Sequence, residues 1–541
     1  MQSRREALKL GTAVMALGRA GTACATASPV PTPAHGLARS IEGQRKADLG
    51  NGTYINPVLS GDRPDPNVFR DGEDYYATFS SFLYYPAVVV WHSRDLINWR
   101  PVGPALTKPL GSIWALDIAK HGARYFIYIP VFNPGAPGFP ADLLPARLFV
   151  VHADSMAGPW SEPIDMGIAG YIDPGHAVGE DGRRYLFLNN GARVRLTDDG
   201  LKADGPVEKV YDGWPIPDDW VIEAPALEGP KVLRHGAWFY LFSGQGGTAG
   251  PPTSHMVIVA RSRSINGPWE NCPHNPIVHT ASVAEPWWSR GHATAVQGPA
   301  GDWWLAYHAY ENGYRTLGRQ MVLEPFAWGA DGWPHALGGD LSHPLKAPRG
   351  GRDEGTGPAL SGPFAPSMLG ARMTFFDPRP GYLDRLHFDQ GQMTLAAQGR
   401  GPADSSPLAM IAGDRSYEVE VDLEVFDEAE AGLLLWYDDK LFCGVGTDAH
   451  GLHGYQRGAP QGYPPVGSFA GRAVSLRLRN VDNVVTFSIR PAGGAWRQLI
   501  SWEVSGYNHN MAGGFMSLRP ALYCSGKGRA LFAGLTYRAL G

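Results

Sequence analysis

The sequence contains little cysteine and no long apolar run after its N-terminal region. Its 541 residues include four cysteines, and three of them, Cys272, Cys443 and Cys524, lie far apart in the chain. Their spacing fits neither a disulfide framework nor a cysteine-based metal site. Beyond the N-terminus no stretch is long and apolar enough to cross a bilayer, so we predict no membrane span.

Charge is also scarce, which excludes two classes of partner. Charged residues make up 18% of the chain and the formal net charge is -5. This balance gives no basis for binding nucleic acid or an anionic membrane. A hydrophobic content of 44% indicates a soluble globular protein, and the length indicates two domains. Glycine (69) and proline (46) are plentiful, which favours many turns and β-structure.

The N-terminal segment, "MQSRREALKLGTAVMALGRAGTACATASP", is similar to a twin-arginine export signal. Arg4 and Arg5 precede a modest apolar stretch and then several small residues. Arg19 interrupts that stretch, which leaves an ordinary disordered tail as the alternative. We expect residues 1–28 to be the signal, residues 29–50 to be a flexible segment, and the protein to be exported to the periplasm or the extracellular space.

An internal repeat occupies the middle of the chain. Five segments share a glycine followed within a few residues by an aromatic that opens a strand: "DGEDYYATFSS", "HGARYFIYIP", "DGRRYLFLNNG", "HGAWFYLFSGQG" and "AGDWWLAYHAY". The anchoring aromatics recur at intervals of 50 to 65 residues and are Tyr75, Tyr125, Tyr185, Trp238 and Trp303. Repeats of this size are typical of propeller blades. We expect the anchors to pack in the core.

We therefore predict an all-β protein that begins with a five-bladed β-propeller over residues 51–335. A β-sandwich with coincidental hairpins is the alternative for this region. Residues 336–365 are rich in Gly, Pro and scattered charge and are predicted to be a linker. Residues 366–541 contain period-two strands separated by turns, which predicts an antiparallel, jelly-roll β-sandwich.

One position in each repeat is a candidate for a shared site. The innermost strands of a propeller run beside its axis, so side chains where these strands start converge on one pocket. Ten to twelve residues before each aromatic anchor the sequence has Asp65, Trp114, Asp173, Glu228 and His292. Three acids, a tryptophan and a histidine are thus predicted to share one pocket at the axis.

This set of residues fits the hydrolysis of a glycosidic bond. One carboxylic acid must protonate the leaving oxygen, and a second, ionised carboxylate must attack or activate water. A third carboxylate beside the acid raises the acid's pKa by like-charge repulsion. A tryptophan face suits the apolar side of a sugar ring.

Six motifs in the same order resemble glycoside hydrolase family 43. They are "NPVLSGDRPDPNVFRDGEDYYATFSSFLYYP", "IWALDI", "YIDPGHAV", "ALEGPKVLRHGAWFYL", "RGHATAV" and "YRTLGRQ". The resemblance is greatest to the β-xylosidase and α-L-arabinofuranosidase branch, in which a concanavalin-like sandwich follows the propeller. It implies an inverting, exo-acting enzyme that releases terminal pentoses from hemicellulose oligosaccharides, and β-D-xylose is the pentose that we expect. An α-L-arabinofuranosidase of the same family is the alternative.

The resemblance also implies a role for each motif residue. Asp65 would be the general base, Glu228 the general acid, and Asp173 the residue that tunes the pKa of the acid. Phe82 and Trp114 would wall the sugar subsite, and Arg319 would bind sugar hydroxyls. His292 matches a histidine that in many members lies near a bound ion or water cluster. The motifs require no cofactor, and they leave open whether the protein binds a structural Ca²⁺.

The sequence departs from the family pattern at one motif and offers a second acid at another. "WALD" stands where Trp-Ala-Pro is commoner, which leaves the role of Asp117 open. Glu223, five residues before Glu228, is a competing general acid. We prefer Glu228 because it matches both the repeat and the motif.

Three questions of function remain open at this point. An invertase-like retaining hydrolase is disfavoured, because "RPDPNV" and "LEGPKV" stand where that class has Asn-Asp-Pro-Asn-Gly and Glu-Cys-Pro. A carbohydrate-binding propeller without turnover is an alternative from another class. The C-terminal sandwich either binds polymer as a separate module or packs on the propeller and closes the pocket, and we expect the second.

Overall fold

The computed structural model describes residues 38–135, 144–353, 355, 357–462, 466, 467, 469 and 471–541. The predicted export signal and residues 29–37 of the predicted flexible segment lie outside the described residues. No helix in the described part of the chain is long and apolar enough to cross a membrane.

The predicted five-bladed propeller is confirmed. Five antiparallel sheets follow one another along the chain, and in each the strands lie side by side in sequence order. The sheets are blade 1 (Asn67–Asp71, Asp74–Thr78, Ala87–Ser93, Arg100–Leu106), blade 2 (Asp117–His121, Arg124–Phe132, Ala146–Ala153, Ile164–Ala169), blade 3 (Gly175–Val178, Arg184–Leu188, Ala192–Arg195, Glu208–Lys209), blade 4 (Leu227–His235, Trp238–Gln245, Met256–Ser262, Glu270–Asn271) and blade 5 (Trp287–Gln297, Trp303–Glu311, Arg319–Trp328, Pro334–Ala336). Short strands Ser112–Ile113 and Val278–His279 extend blades 2 and 4.

All five repeat anchors lie in the second strand of their blades. Tyr75 and Tyr185 are buried, as expected. The expectation of a core position is wrong for Tyr125, Trp238 and Trp303, which are only half-buried. Their exposed sides interact with polar neighbours: the Tyr125 hydroxyl donates to Asp71, and two arginines lie over the Trp238 ring. An aromatic side chain can cover the blade surface with its body while its polar edge faces water.

The middle strands of the blades are buried on both faces. In Arg184–Leu188 every residue is buried, and in Trp238–Gln245 all but the first are. Each blade packs against a neighbour on either side, so its middle strands meet apolar surface on both faces. Between blades 4 and 5, for example, Tyr240 and Phe242 pack in one cluster with Leu305 and Tyr307.

The predicted C-terminal β-sandwich is also confirmed, and it is built around two long paired strands. Tyr417–Trp436 pairs with Arg519–Ala539 along almost its whole length. Near Asp427, whose φ is 60°, the pair changes neighbours: the first half pairs with Ala473–Val481 and the second with Phe442–Thr447. The same pair of long strands thus contributes to both layers of the sandwich. The other strands are Met373–Phe376, Leu386–Asp389, Gln392–Ala396, Leu408–Met410, Leu452–Gln456, Ala459–Pro460, Val484–Pro491 and Arg497–Glu503.

Short elements complete the described chain. The short strands are Ala38–Arg39, Arg45–Lys46, Thr53–Tyr54, Tyr84–Tyr85 and Leu345–Lys346. The 3₁₀ helices are Ile41–Gly43, Asn189–Gly191, Arg315–Leu317, Pro366–Met368, Tyr382–Arg385 and Pro402–Asp404. One four-residue α-helix, His509–Ala512, lies in the sandwich.

Backbone pairing joins the sandwich to the propeller. Strand Tyr84–Tyr85, in a loop of blade 1, pairs with Phe375–Phe376 of the sandwich. Within the predicted linker, Leu345–Lys346 pairs with Thr53–Tyr54, which ties the end of the propeller to its beginning. A buried ion pair, Arg519 Nη2 to Asp62 Oδ2 at 2.8 Å, crosses the same interface. The sandwich is therefore an integral part of the structure around blade 1.

Candidate active site

The five repeat positions line one pocket. Asp65, Trp114 and Asp173 lie just before the first strands of blades 1, 2 and 3, whereas Glu228 and His292 lie within the first strands of blades 4 and 5. The remaining lining residues are Phe82, Ala115, Ile172, Thr248, Arg319 and Phe515. Ten of the eleven come from the propeller and one, Phe515, comes from the sandwich.

Asp65 is held rigidly on both sides. The carbonyl of Pro64 accepts a hydrogen bond from the Ser80 amide (3.2 Å), and the carbonyl of Pro66 accepts one from the Thr294 hydroxyl (2.9 Å). Asp65 itself has a φ of 56°, in the left-handed region that non-glycine residues rarely adopt. Strained backbone of this kind persists only where the surrounding contacts enforce it.

The surroundings of the Asp65 carboxylate favour its ionised form. Oδ1 accepts a hydrogen bond from Arg319 Nη1 at 2.8 Å and lies 3.0 Å from Nδ1 of His308. Oδ2 accepts one from the Ser80 hydroxyl at 2.5 Å. Burial by itself would raise the pKa of Asp65, but the charge of Arg319, assisted by His292 and His308, outweighs it and holds that pKa well below its ordinary value.

The surroundings of Glu228 and Asp173 favour the protonated form of both carboxyl groups. Burial raises the pKa of both carboxyl groups, and the negative charge of Asp65 raises them further. Asp173 is the largest charge contribution to the raised pKa of Glu228. Asp173 Oδ2 also accepts a hydrogen bond from the Gly229 amide at 3.1 Å, which fixes it beside the residue that follows Glu228. At neutral pH the pocket thus pairs an ionised Asp65 with a protonated Glu228, and Asp173 lies beside them with a raised pKa.

His292 lies between the carboxyl groups of Asp65 and Glu228. Its Nδ1 lies 3.5 Å from Oδ1 of Asp65 and 4.0 Å from Oε1 of Glu228. These two oxygens are therefore separated by no more than the sum of the two distances, 7.5 Å. This upper limit on the distance between the two oxygens is compatible with the lower part of the range of about 6.5–9.5 Å that leaves room for a water in inverting glycosidases.

Aromatic side chains form the walls of the pocket. Trp114 stacks on Phe132 with ring centroids 4.9 Å apart, and its ring meets those of Phe82 and Phe515 edge-on at 6.3 and 6.1 Å. The guanidinium of Arg319 lies 5.7 Å from the Phe82 ring and 5.4 Å from that of Phe515. Because Phe515 belongs to the sandwich, that domain completes the wall, as expected.

Glu223 and Asp117 lie outside the pocket lining. The Glu223 carboxylate accepts hydrogen bonds from the amides of Ala249 (2.7 Å) and Gly250 (3.0 Å), so it fixes the loop after the second strand of blade 4. Asp117 forms a buried ion pair with Lys231 at 2.7 Å and accepts a hydrogen bond from the His176 amide. Both geometries indicate structural roles.

The residues around His292 do not form a calcium cage. Calcium takes six to eight oxygen ligands. Among the carboxylates of the described residues, those within 4.0 Å of the His292 ring are Asp65 and Glu228, and the first of these is already bonded to Arg319. Within the described part of the chain, the side chains spaced to hold a metal together are His274, Asp331 and His335, at the outer edge of blades 4 and 5. We therefore derive no catalytic step through a metal.

Several contacts of the site were not predicted from the sequence. His308, Ser80 and Thr248 surround the Asp65 carboxylate or line the pocket. Ser80 lies in the quoted "SSF" stretch and His308 lies five residues after an anchor, so the repeat offered a signal for both. His255, buried with its Nε2 3.5 Å from Glu228 Oε1, and Phe515 carry no motif.

The fold and the pocket define a five-bladed propeller with three acidic side chains at its axis. The family model for glycosyl hydrolases family 43 matches residues 54–334, which include all five blades but for the last residues of blade 5. The chain belongs to glycosyl hydrolase family 43, which confirms the resemblance seen in the motifs.

Curated relatives of the chain include three with the following names. A non-reducing end alpha-L-arabinofuranosidase of Bacteroides ovatus is 32% identical over 306 residues, 53% of this chain and 54% of the relative. A xylan 1,3-beta-xylosidase of a Vibrio species is 32% identical over 326 residues, 53% and 58%. A putative beta-xylosidase of Escherichia coli is 29% identical over 443 residues, 71% and 77%. The chain thus spans about half to three quarters of the length of these relatives.

Solved structures show the same two-domain architecture. A family 43 protein from Bacillus licheniformis superposes with a TM-score of 0.80 at 24% identity, covering 90% of this chain and all of that one. A xylan beta-1,4-xylosidase from Bacillus halodurans gives a TM-score of 0.76 at 24% identity, covering 90% and 99%. At this level of identity the likeness establishes the fold.

Proposed function

We propose that the protein is an inverting, exo-acting glycoside hydrolase, with Asp65 as general base, Glu228 as general acid and Asp173 as the residue that tunes the acid. The observation that carries this proposal is that the carboxyl groups of Asp65 and Glu228, which lie on either side of His292, have opposite electrostatic environments. Arg319 keeps Asp65 ionised, whereas burial and Asp173 keep Glu228 protonated. Opposite shifts in paired carboxyl groups are typical of an acid and a base in glycosidases.

The proposed reaction is a single displacement at the anomeric carbon. Asp65 accepts a proton from a water molecule while the oxygen of that water attacks the anomeric carbon. Glu228 donates its proton to the departing glycosidic oxygen. The bond from carbon to the leaving oxygen breaks with its electron pair on that oxygen. Asp65 then holds a proton and Glu228 a negative charge, and exchange with solvent restores both.

The shape of the pocket supports removal of a terminal sugar. Phe515 of the sandwich and Trp114 of the propeller both wall the pocket, and a pocket closed by two domains suits one terminal sugar ring rather than a continuous polymer. The names of the relatives include xylosidases and an arabinofuranosidase. We propose β-D-xylose at the non-reducing end of hemicellulose oligosaccharides as the substrate, with α-L-arabinofuranose as the alternative.

Two measurements test the activity and its stereochemistry. Purified protein is assayed on aryl β-D-xylosides and aryl α-L-arabinofuranosides, and the first product anomer is followed by proton NMR. We expect hydrolysis of at least one of the two, with inversion at the anomeric carbon. Retention would reject the assignment of Asp65 as a base for water. Binding of xylo-oligosaccharides without any turnover would favour the alternative of a carbohydrate-binding propeller.

We further propose that the N-terminal segment directs export. Its paired arginines, Arg4 and Arg5, are the supporting feature. Substitution of both by lysine in the full chain is expected to retain the protein in the cytoplasm of a host with twin-arginine export. Unchanged export of that variant would reject the proposal.

A further inference from the structure

A second, larger cavity lies on the other side of blade 1. It has a volume of about 100 Å³ and lies between blade 1, the segment before it and the sandwich. Within the described part of the chain its lining does not overlap that of the active-site pocket, although Ser80, which donates to Asp65, belongs to it. Its lining includes the buried side chains of Asp62, Arg63, Ser80, Tyr84 and Arg519.

The charges in this lining do not balance. Arg519 forms its ion pair with Asp62 at 2.8 Å. Arg63 is 9% exposed, and among the described residues no carboxylate lies within ion-pair distance of it. Its Nη1 donates to the backbone carbonyl of Asp62 (2.9 Å), and its guanidinium lies over the Trp91 ring at 4.7 Å. An uncompensated buried charge costs several kcal/mol in typical proteins.

The cavity also presents hydrogen-bond donors that lack a partner. Nε of Arg63 and the hydroxyl oxygen of Tyr84 are buried, and neither has a hydrogen-bond partner among the described residues. Oδ1 of Asp62 is an unpartnered acceptor, but it is packed against Gly318, where a Cβ would come within 2.4 Å of it. Buried polar groups of native proteins are nearly always satisfied by protein, water or an ion.

The donors remain protonated at neutral pH. Burial, with a contribution from nearby Arg519, lowers the pKa of Arg63 to about 9, and Asp62 opposes this shift. Burial raises the pKa of the Tyr84 hydroxyl. The cavity therefore offers a full positive charge and a neutral O–H donor to whatever occupies it.

We propose that this cavity binds a small inorganic anion, a halide or an oxyanion, through the Arg63 guanidinium, with Arg519 and the Tyr84 hydroxyl lining the same site. The anion supplies the charge that Arg63 lacks and accepts hydrogen bonds from the unpartnered donors. Arg63 precedes Asp65 by two residues, and its amide donates to the carbonyl of Arg319 at 2.7 Å. A bound anion therefore stabilises the segment that carries both Arg63 and Asp65.

Thermal unfolding of the full chain tests the proposal. Tm is measured at constant ionic strength while sodium gluconate, a bulky organic anion, is replaced by sodium bromide in one series and by phosphate in another. We expect Tm to rise and to saturate with the anion that binds, because a ligand of the native state stabilises it by mass action. Bromide and phosphate separate a halide site from an oxyanion site.

Two matched variants identify the residue responsible. Arg63→Met removes the charge but keeps an unbranched side chain over Trp91. Arg263→Met is the control, because Arg263 is exposed and lies over the Trp238 ring at 4.2 Å. We expect the Tm of Arg63→Met to be independent of the anion and, in gluconate, to equal or exceed that of the wild type. Arg263→Met should respond as the wild type does.

Crystallography provides a test that does not depend on the folding of a variant. Wild-type crystals soaked in bromide should show an anomalous peak in contact with the Arg63 guanidinium. Equal responses to anions in wild type and Arg63→Met would overturn the proposal, as would water alone beside Arg63 in crystals soaked in bromide and in phosphate.

Discussion

The guanidinium of Arg319 lies 2.8 Å from the carboxylate of Asp65, and both groups are buried. Arg319 opens the third strand of blade 5, and Asp65 precedes the first strand of blade 1. The ion pair therefore joins the last blade to the first at the mouth of the pocket. It also sets the ionisation of the proposed base.

Arg319→Met is expected to shift the acidic limb of the kcat/KM profile to higher pH. Loss of the guanidinium leaves burial to dominate, so the pKa of Asp65 rises and the base is protonated at a pH where it is now ionised. Activity at neutral pH should fall by about 10²-fold or more, the scale of general base catalysis. Arg319→Lys keeps the charge and should restore the position of the limb. An unmoved acidic limb in Arg319→Met would contradict this account.

Asp173→Asn is expected to move the basic limb to lower pH. The proposed general acid, Glu228, must be protonated, so activity is expected to fall as pH rises through its pKa. The charge of Asp173 is part of what raises that pKa. Removing the charge lets Glu228 ionise earlier, while the acidic limb set by Asp65 moves less. A pH–rate profile on an aryl glycoside measures both limbs, and a basic limb that stays in place would remove Asp173 from this role.

Glu228→Gln is expected to lose activity and gain stability in alkaline buffer. The pKa of Glu228 in the folded state is raised to about 8, so the unfolded chain ionises first as pH rises. The free energy of unfolding therefore falls between the ordinary pKa of a glutamate and the raised one. Glutamine cannot ionise and escapes this loss.

The measurement for this variant is Tm at two pH values. Relative to wild type, Glu228→Gln should gain at most about 4 °C at pH 8.5 and little at pH 4.5, because the raised pKa is worth at most about 5 kcal/mol and each kcal/mol shifts Tm by about 1 °C in a chain of this size. A gain of equal size at both pH values would point to packing instead of ionisation.

Arg519→Met is expected to destabilise the protein far more than Arg529→Met. Both arginines lie in the last strand of the sandwich and pair with an aspartate. The pair of Arg519 with Asp62 is buried, and that of Arg529 with Asp427 is exposed. Removing one partner of a buried pair costs about 3–5 kcal/mol, and losing an exposed pair costs about 0–1 kcal/mol. Denaturant unfolding measures both, and equal losses would contradict the interface described above.

The repeat made much of this architecture predictable. Because one position recurs ten to twelve residues before each anchor, Asp65, Trp114, Asp173, Glu228 and His292 could be placed in one pocket before any contact was known. The roles assigned to them stay predictions until the activity is measured. The core position predicted for Tyr125, Trp238 and Trp303 is wrong because an aromatic residue type does not reveal what covers its outer face.

Other features had no local signal in the chain. Phe515 reaches the pocket from more than 400 residues beyond Asp65, and only the docking of the sandwich on blade 1 brings it there. The left-handed backbone of Asp65, Phe82, Asp173 and His292 is equally invisible to motif reading, because none of these residue types is glycine. Both features arise from tertiary contacts, which propensity and periodicity do not describe.

The strand pairing of Tyr84–Tyr85 with Phe375–Phe376 has a consequence for biosynthesis. Asp65 leaves the ribosome about 450 residues before Phe515 and Arg519, which lie in the sandwich that completes the surroundings of the pocket. The five blades can form in chain order, but the Tyr84–Tyr85 strand in the loop of blade 1 keeps unpaired backbone groups until the sandwich is synthesised. Nascent chains arrested between blade 5 and the sandwich should therefore be recognised by chaperones at blade 1, and the proposed activity should arise only after Phe515 has been synthesised.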